Sequence, residues 1–587
     1  MTDVGTRGVR ARAVIAITLL ASSILAGACA SVQDAVPARE SGVVYRHAAV
    51  AADHPLASQA GLEMLQRGGN AVDAAVATSF CLSVVRPFSC GIGGGGFMVI
   101  YIPGAKPDEP GRAVALNYRE TCPAAVGPDF YAGLADKEAS RYGWQASGTP
   151  GTVAGLCRAL EEFGTLELAV VLEPAIRAAE EGFEADAAFV AAVGEIARTT
   201  EKRPELRAAL GTIWTDLCRE GRVRVGDRLR NPDQAKALRL IAAQGKAAFY
   251  AGDIAQAIDA TMRKQVGSLT LGDFGWYQAL PAKPLTCEFR DWQLISMPPP
   301  SSGGIAMQQV FGILDRRTAD LDRAAHNSAD YVHLTTEAMK HAFADRSRWL
   351  ADPSFAKVPV AALLSGPYLD DRAAAIDMQH AGESDRYGTQ TIPEDHGTSH
   401  FCVLDAGGMA VACTETINLE FGSLVCVPGF GFCLNNEMDD FTTVRGAANA
   451  FGLRQSDANR PEPGKRPLSS MSPTIVTRDG RVVMIAGGSG GPRIISATTE
   501  CLLNVMLFDM SPEQAVSAPR FHHQWMPDTL LLDKRWTDSH VADELRQRGH
   551  EIGTLTSEAV VQMISVDSAG LIRAACDPRK GGAPAGY

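Results

Sequence analysis

Residues 394–405 read EDHGTSHFCVLD, and within them Gly397 precedes Thr398, Ser399 and His400. An internal threonine hydroxyl is far from ionised near neutral pH, so as a nucleophile it needs a base within hydrogen-bond reach. Cutting the chain just before Thr398 supplies one. The freed α-amine has an ordinary pKa of about 7.7–8.0, so a useful fraction is neutral at pH 7, and it belongs to the nucleophile's own residue. Gly397 suits such a cut because it adds no side chain to obstruct attack on its own carbonyl. Taken alone, GTSH favours a plainer reading, in which Thr398 and Ser399 start a strand or cap a turn.

The elements around these residues are legible. HFCVLD and MAVACTETIN flank Ala406-Gly407-Gly408 and predict a hairpin. SPTIVTRDGRVVMIAG predicts a second, turned by Asp479-Gly480, and residues 561–575 a third. GGSGG (487–491) runs into an apolar helical stretch, RIISATTECLLNVML. Residues 55–85 read as two helices broken at Gly68-Gly69-Asn70. GIGGGGFMVIY (91–101) is a glycine run entering a buried strand; without GxGxxG in a βαβ frame it is a weak dinucleotide motif. VALNYRE (114–120) is a strand ending on Arg119, and residues 150–350 are mostly helical in period, with PPPSSGG (298–304) as a sharp interruption. Helices early and antiparallel strands late predict layered sheets covered by helices. With no internal repeat and no linker after residue 41, the body reads as one large unit.

The 587 residues suffice for two to four average domains or one large one. Hydrophobic content of 46% and charged content of 21% fit a core-forming protein. A net charge of -12, with lysine and arginine scattered, argues against nucleic acid as a partner.

The stretch TSHFCVLDAGGMAVACTETINLEFG (398–422) resembles the signature of the γ-glutamyltranspeptidases, with Thr398, Ser399, His400, Thr414, Thr416, Asn418, Phe421 and Gly422 on the pattern. Cys402 and Met409 depart from it and read as packing positions. Further matching stretches in the same order are ADHPLASQAGLEML, GGNAVDAAVA, GIGGGGF, PPPSSGG, NNEMDDF, KRPLSSMSPTIV, APRFHHQ and DPRKGGAPAGY, so the resemblance spans about Val44 to Tyr587. It implies an α+β fold, the αββα sandwich of N-terminal-nucleophile hydrolases, made as one precursor. Cleavage between Gly397 and Thr398 would give a heavy chain (44–397) and a light chain (398–587) that stay interleaved as a heterodimer.

The resemblance also implies roles. Thr398 is the nucleophile and Thr416 supports it. Arg119 grips the α-carboxylate of a γ-glutamyl donor, as a guanidinium fork suits a carboxylate, and Ser469 and Ser470 hydrogen-bond the same group. Asp440 holds the α-ammonium, Glu437 is a second acceptor, and Asn418 contacts the amino-acid head. Gly490 and Gly491 supply the oxyanion-hole N–H groups, with Ser489 where the family often has proline. Residues 442–453 correspond to a lid loop, with Phe451 as an aromatic gate. No metal and no cofactor are implied; His333, Glu337 and His341 at i, i+4, i+8 spacing, and His522-His523, read as packed or solvated. The substrates implied are glutathione, related γ-glutamyl compounds, and amino acid or dipeptide acceptors. Two rivals stand beside this reading: a relative acting on another acyl group, such as a cephalosporin acylase or a capsule-processing enzyme, and a silent scaffold that never matures.

At the start of the chain, Arg7, Arg10 and Arg12 precede an apolar run from Val14 to Leu25. Twelve helical residues reach only ~18 Å, against a bilayer core of ~30 Å, so residues 1–30 read as a signal peptide and 31–43 as a polar tether. LAGACAS resembles a bacterial lipobox with Cys29 as the acylated residue, although Ala26 stands where a large apolar residue is usual; cleavage after Ala28-Cys29-Ala30 is the alternative. Export to a bacterial periplasm, with a lipid anchor if Cys29 is acylated, is the expectation. The other twelve cysteines show no metal-finger spacing, and most read as buried thiols.

Overall fold

The hairpin around Gly407 forms, with Gly397–Leu404 paired antiparallel to Ala410–Asn418. Side chains alternate along the first strand: Phe401 and Val403 enter one apolar cluster, Cys402 and Leu404 another. A strand with both faces covered has no solvent side, which is why FCVL reads as a continuous apolar run. The computed structural model describes residues 43–106, 109–384, 397–444, 456–537, 539–556 and 559–587.

The hairpin is the centre of a seven-stranded antiparallel sheet, in the order Ala585–Gly586, Ala49–Ala52, Gly397–Leu404, Ala410–Asn418, Gly95–Ile102, Arg112–Tyr118, Leu280–Ala282. A second seven-stranded sheet runs Val44–Tyr45, Ile572–Cys576, Val560–Val566, Arg481–Ser489, Thr474–Arg478, Trp292–Ser296, Leu285–Phe289. Ala49, Ala51, Phe97, Val99 and Cys402 of the first sheet meet Ile295, Ile475, Ile485 and Ile564 of the second. The outer face of the first sheet packs on the helices Pro55–Gln66 and Ala71–Val85. The outer face of the second packs on Gly303–Arg316, Ala329–Trp349 and Arg493–Phe508. This is the αββα sandwich that the resemblance implies, and Gly42–Tyr587 forms one compact unit.

Local chemistry explains the elements. Asn70 caps the second helix through Val72 and Asp73 N–H groups, and the Asp73 carboxylate returns to the Asn70 N–H. Asp479 and Gly480 both have positive φ, as a two-residue hairpin turn requires. In the glycine run, a Cβ on Gly94 would lie 2.1 Å from the Thr416 carbonyl oxygen, so only glycine lets this backbone approach the hairpin. The strands between Leu280 and Ser296 lie within the stretch read as mostly helical. Leu280–Ala282 and Leu285–Phe289 are edge strands and Trp292–Ser296 lies next to an edge; all are short, with Pro281 and Pro284 among them, so they carry little periodic signal. Twelve described cysteines are free thiols, Cys402 among them in the inter-sheet core, and Met409 is half-buried against the outer one.

Buried titratable groups predict how stability depends on pH. Burial pushes His54, His400 and His522 down to about 3 from an ordinary 6.5. Each is neutral in the fold and protonates first in the unfolded chain, so its contribution is intact above 6.5 and is lost as pH falls toward 3. Glu415, between Ser79 and Tyr118, is pushed up by burial to about 7 from 4.5. Its contribution is intact below 4.5 and is lost as pH rises through 7. The histidines should therefore lower the thermal midpoint as pH falls below ~6.5, Glu415 should lower it as pH rises from ~4.5 to ~7, and Glu415→Gln should flatten this alkaline limb. An unchanged alkaline limb in that variant contradicts the assignment.

Candidate active site

Thr398 and Thr416 are register partners in the central hairpin, with a bulge between Gly397 and Thr398. The bulge turns the hydroxyls toward each other. Thr398 Oγ1 donates to Thr416 Oγ1 (3.2 Å), and Thr416 Oγ1 donates to the Gly397 carbonyl (2.6 Å). The Asn418 N–H donates to Thr416 Oγ1 (2.8 Å), which fixes the direction of this chain. Thr416 thus polarises the carbonyl of the peptide bond that precedes Thr398, while the Thr398 hydroxyl lies beside it. On the other side, Lys580 Nζ donates to the Thr398 carbonyl (2.5 Å) and pairs with Asp53 (2.7 Å).

A Cβ on Gly397 would lie 2.2 Å from the Asn418 carbonyl oxygen and 2.6 Å from the Leu419 carbonyl carbon. Both are backbone atoms that cannot swing away. Gly397→Ala should displace this carbonyl and, on the cleavage that the resemblance implies, slow the appearance of two chains by about 10²-fold, the usual effect of a misplacement near 1 Å. The time course on a denaturing gel measures it, and a variant that is cut at the wild-type rate contradicts the geometry.

The residues to which the resemblance assigns amino-acid binding converge on the same place. Arg119 follows the strand Arg112–Tyr118 and is buried. Its Nη1 lies 2.7 Å from Glu437 and 3.7 Å from Glu120, its Nη2 pairs with Asp440, and its Nε donates to the Pro467 carbonyl (3.4 Å). The Glu437 contact has ion-pair distance without hydrogen-bond alignment. Burial pushes the Glu437 carboxyl well above the usual carboxylate range and raises Asp440, with Arg119 opposing both; burial also takes Glu120 up to about 8. Three buried acids around one guanidinium cannot all ionise cheaply.

Glu437 and Asp440 lie on one short turn, Glu437–Asp440, anchored by the two asparagines before it. Asn436 donates its N–H to the Ile417 carbonyl (3.1 Å), accepts from the Leu419 N–H at Oδ1 (2.9 Å), and its carbonyl accepts from Asn418 Nδ2 (2.9 Å). Asn435 Oδ1 accepts from the Glu437 N–H (3.0 Å). The serine pair is held by the stretch that interrupts the helices. The Ser302 N–H and hydroxyl both donate to the Ser469 carbonyl (2.7 and 2.6 Å), and the Ser469 N–H donates to the Pro300 carbonyl (2.9 Å).

Gly490 and Gly491 join the strand Arg481–Ser489 to the helix Arg493–Phe508, with φ of 125° and 54°. These values favour glycine, and the helix start places positive potential there. Arg119, Thr398, Thr416, Asn418, Glu437, Asp440, Ser469, Ser470 and Gly491 all line one cavity, and Gly397 and Gly490 adjoin it in the chain. Sequence reasoning missed Arg346, Met471 and Ile494, which line the same cavity, and the Lys580–Asp53 pair behind Thr398.

The helical trio His333, Glu337 and His341 does not act as a unit. His333 and Glu337 instead meet His550, with ligand-type atoms within 4.8 Å. His333 and His550 are hydrogen-bonded to each other (2.7 Å), and Glu337 pairs with Lys340 (3.2 Å). His522 bonds Ser496 and Gln524, and His523 pairs with Asp528. Residues 1–42, with Cys29, lie outside the described residues, as do Asp395 and His396 before the junction and Phe451 of the lid loop.

A family model described as gamma-glutamyltranspeptidase matches residues 57–587. The glutathione hydrolase proenzyme of Escherichia coli is 37% identical over 574 residues, covering 95% of this chain and 96% of that protein. That of Pseudomonas aeruginosa is 41% identical over 543 residues, covering 90% and 93%. Among solved structures, a cephalosporin acylase from Bacillus halodurans superposes with a TM-score of 0.79 at 26% identity, over 94% of this chain and 98% of that one.

Proposed function

The chain belongs to the γ-glutamyltranspeptidase family, and on that premise we propose that it cuts itself before Thr398 and then hydrolyses the γ-glutamyl amide of glutathione and related compounds, or passes the glutamyl group to an amino acid or peptide. The observation that carries this reading is the hydroxyl chain from Thr398 through Thr416 to the Gly397 carbonyl.

Maturation begins when Thr398 Oγ1 attacks the Gly397 carbonyl carbon. The C–N bond breaks, its nitrogen becomes the Thr398 α-amine, and Gly397 is held as an ester. Water hydrolyses the ester and leaves a heavy chain ending at Gly397 and a light chain beginning at Thr398. In turnover, the α-amine takes the Thr398 hydroxyl proton as Oγ1 attacks the donor's γ-carbonyl. The N–H groups of Gly490 and Gly491 receive the developing oxyanion. The amine leaves with that proton, and water or an acceptor amine releases the glutamyl ester. At the donor's other end, Asp440 and Glu437 take the ammonium, while Arg119, Asn418, Ser469 and Ser470 order the head group around them.

The assay is release of glutamate from glutathione and of the chromophore from a γ-glutamyl anilide, beside a glutaryl-cephalosporin substrate that lacks the ammonium. Turnover of the first two supports the proposal. Turnover of the cephalosporin substrate alone would make the chain an acylase, a reading kept alive by the superposition on a cephalosporin acylase.

Residues 1–30 serve, in this proposal, as an export signal to the periplasm, on the strength of Arg7, Arg10 and Arg12 before the apolar run. Acylation of Cys29 would anchor the enzyme to the membrane. Cys29→Ala should then release it from the membrane fraction, and an unchanged distribution rejects the anchor.

A further inference from the structure

The stretch CVPGFGFC (426–433) carries a cysteine at each end. Pro428 and Gly429 turn the chain between them. The Phe430 N–H donates to the Val427 carbonyl (3.1 Å) and Gly429 has a φ of 73°, as a type II turn with proline second and glycine third requires. Beyond the turn the two arms pair. The Val427 N–H donates to the Phe432 carbonyl (3.0 Å), and the Leu434 N–H donates to the Val425 carbonyl (2.9 Å). These bonds bracket an antiparallel bridge between Cys426 and Cys433, while the Cys426 N–H turns away to the Ala209 carbonyl (2.9 Å). Bonds in these places define a non-hydrogen-bonded pair, in which the Cα atoms lie about 4.5 Å apart and the two side chains leave on one face. That separation falls within the span of about 4.4–6.8 Å that a disulfide bridges.

Both thiols are free and buried in one apolar cluster with Phe430, Phe432 and Cys218. Among the described residues no other two cysteines are register partners; Cys402 and Cys413 sit on opposite faces of the central hairpin. Cys426 also lines a cavity together with the exposed residues Thr212, Lys264, Pro428 and Gly429, which gives a small reagent a route to it. We propose that Cys426 and Cys433 form a modification site, oxidised to an intrachain disulfide by a disulfide-bearing oxidant, and that this bond staples the arm leading into the Glu437–Asp440 turn. Cys426 attacks one sulfur of the oxidant RSSR as a thiolate, forming a mixed disulfide and expelling RS⁻. The Cys433 thiolate then attacks the Cys426 sulfur and expels the second RS⁻. The two thiol protons end on two RSH, and the two electrons lost by the cysteines reduce the oxidant. Burial pushes the Cys426 thiol up to about 12 and Cys433 well above its ordinary value, so exchange is slow in the closed fold and fastest as the hairpin forms. The staple sits directly before Asn435 and Asn436, whose side chains hold Glu437 and the end of the central hairpin.

The bond is independent of the γ-glutamyl reading, since it needs only an oxidant and is detected without turnover. The full-length chain, expressed in a bacterium with its own leader, is alkylated in denaturant and digested with chymotrypsin without reduction. Cleavage after Phe430 and Phe432 separates the two cysteines, so mass spectrometry reads their link directly. A second sample, reduced and then incubated overnight with hydroxyethyl disulfide without denaturant, carries the test where the chain is not exported. A Cys426–Cys433 link in either sample supports the proposal. Two alkylated cysteines in both samples, or a link from either one to Cys218, overturn it. Reductant should lower the thermal midpoint of the linked wild type by about 2–5 °C and leave Cys426→Ala and Cys433→Ser unmoved. An unchanged midpoint in the linked wild type, or an equal fall in the variants, overturns the staple.

Discussion

Thr398→Ala yields one uncut chain whose γ-glutamyl turnover is lower by at least ~10⁴-fold, since removing a nucleophile costs on the order of 10⁴–10⁶ in kcat. Two separate events fail together. Without Oγ1 nothing attacks the Gly397 carbonyl, so no α-amine is freed; without that amine and hydroxyl nothing attacks the donor. The fold itself loses little. Thr398 Oγ1 makes one hydrogen bond, to Thr416, and a neutral bond of this kind contributes about 1 kcal/mol. The Lys580 bond to the Thr398 carbonyl is a main-chain contact and survives the substitution. The variant should therefore melt cooperatively near the wild-type temperature while running as a single band. Two bands in this variant would mean that another residue makes the cut.

Asp440→Asn removes a charge that lines the cavity while keeping the side-chain shape. For a donor with a free α-ammonium, kcat/KM should fall by about 10²-fold, the equivalent of ~2–3 kcal/mol for a charge-assisted hydrogen bond. The loss should fall chiefly on KM, because the ammonium is held alike in the ground and transition states. A donor lacking the ammonium should show little change. Stability should hold, in contrast to most broken buried ion pairs. Arg119 keeps Glu437 and Glu120 as partners, and the repulsion among three buried acids is relieved. The variant should also shift the acid limb of the kcat/KM profile, since Asp440 titrates with Glu437 and Glu120 and its own pKa is raised by burial. Kinetics across pH and a thermal melt check both halves; a lowered kcat with unchanged KM contradicts the role in binding.

What was legible in the sequence was what is written consecutively. The Thr398 hairpin, the Asn70 cap and the Asp479-Gly480 turn each rest on neighbours within a few residues. The signature residues became a site only through the resemblance, because no spacing rule places Arg119, Asp440 and Ser470 around one cavity. Their scaffolding was harder still. PPPSSGG read as an interruption, and its function as the clamp on Ser469 depends on a pairing across more than 160 residues, which local propensity cannot encode. Arg346 ends HLTTEAMKHAFADR, a stretch in which the histidine spacing, and not the arginine, is the conspicuous pattern. An arginine near a helix C-terminus reads as a dipole partner on the surface, and only burial distinguishes this one. The strands between Leu280 and Ser296 are illegible for a different reason: strands of three to five residues at or next to a sheet edge, with prolines among them, show no period of two long enough to detect.

The central claim is that Thr398 is both made by the cut and used in the chemistry. Its most direct test is the mass of the small chain from purified protein, quenched in acid during turnover of a γ-glutamyl anilide and mapped by peptide fragmentation. The account predicts a chain that begins at Thr398 and carries one glutamyl group as an ester on that first residue. An uncut chain, a chain beginning at another residue, or a glutamyl group on a different side chain would contradict it.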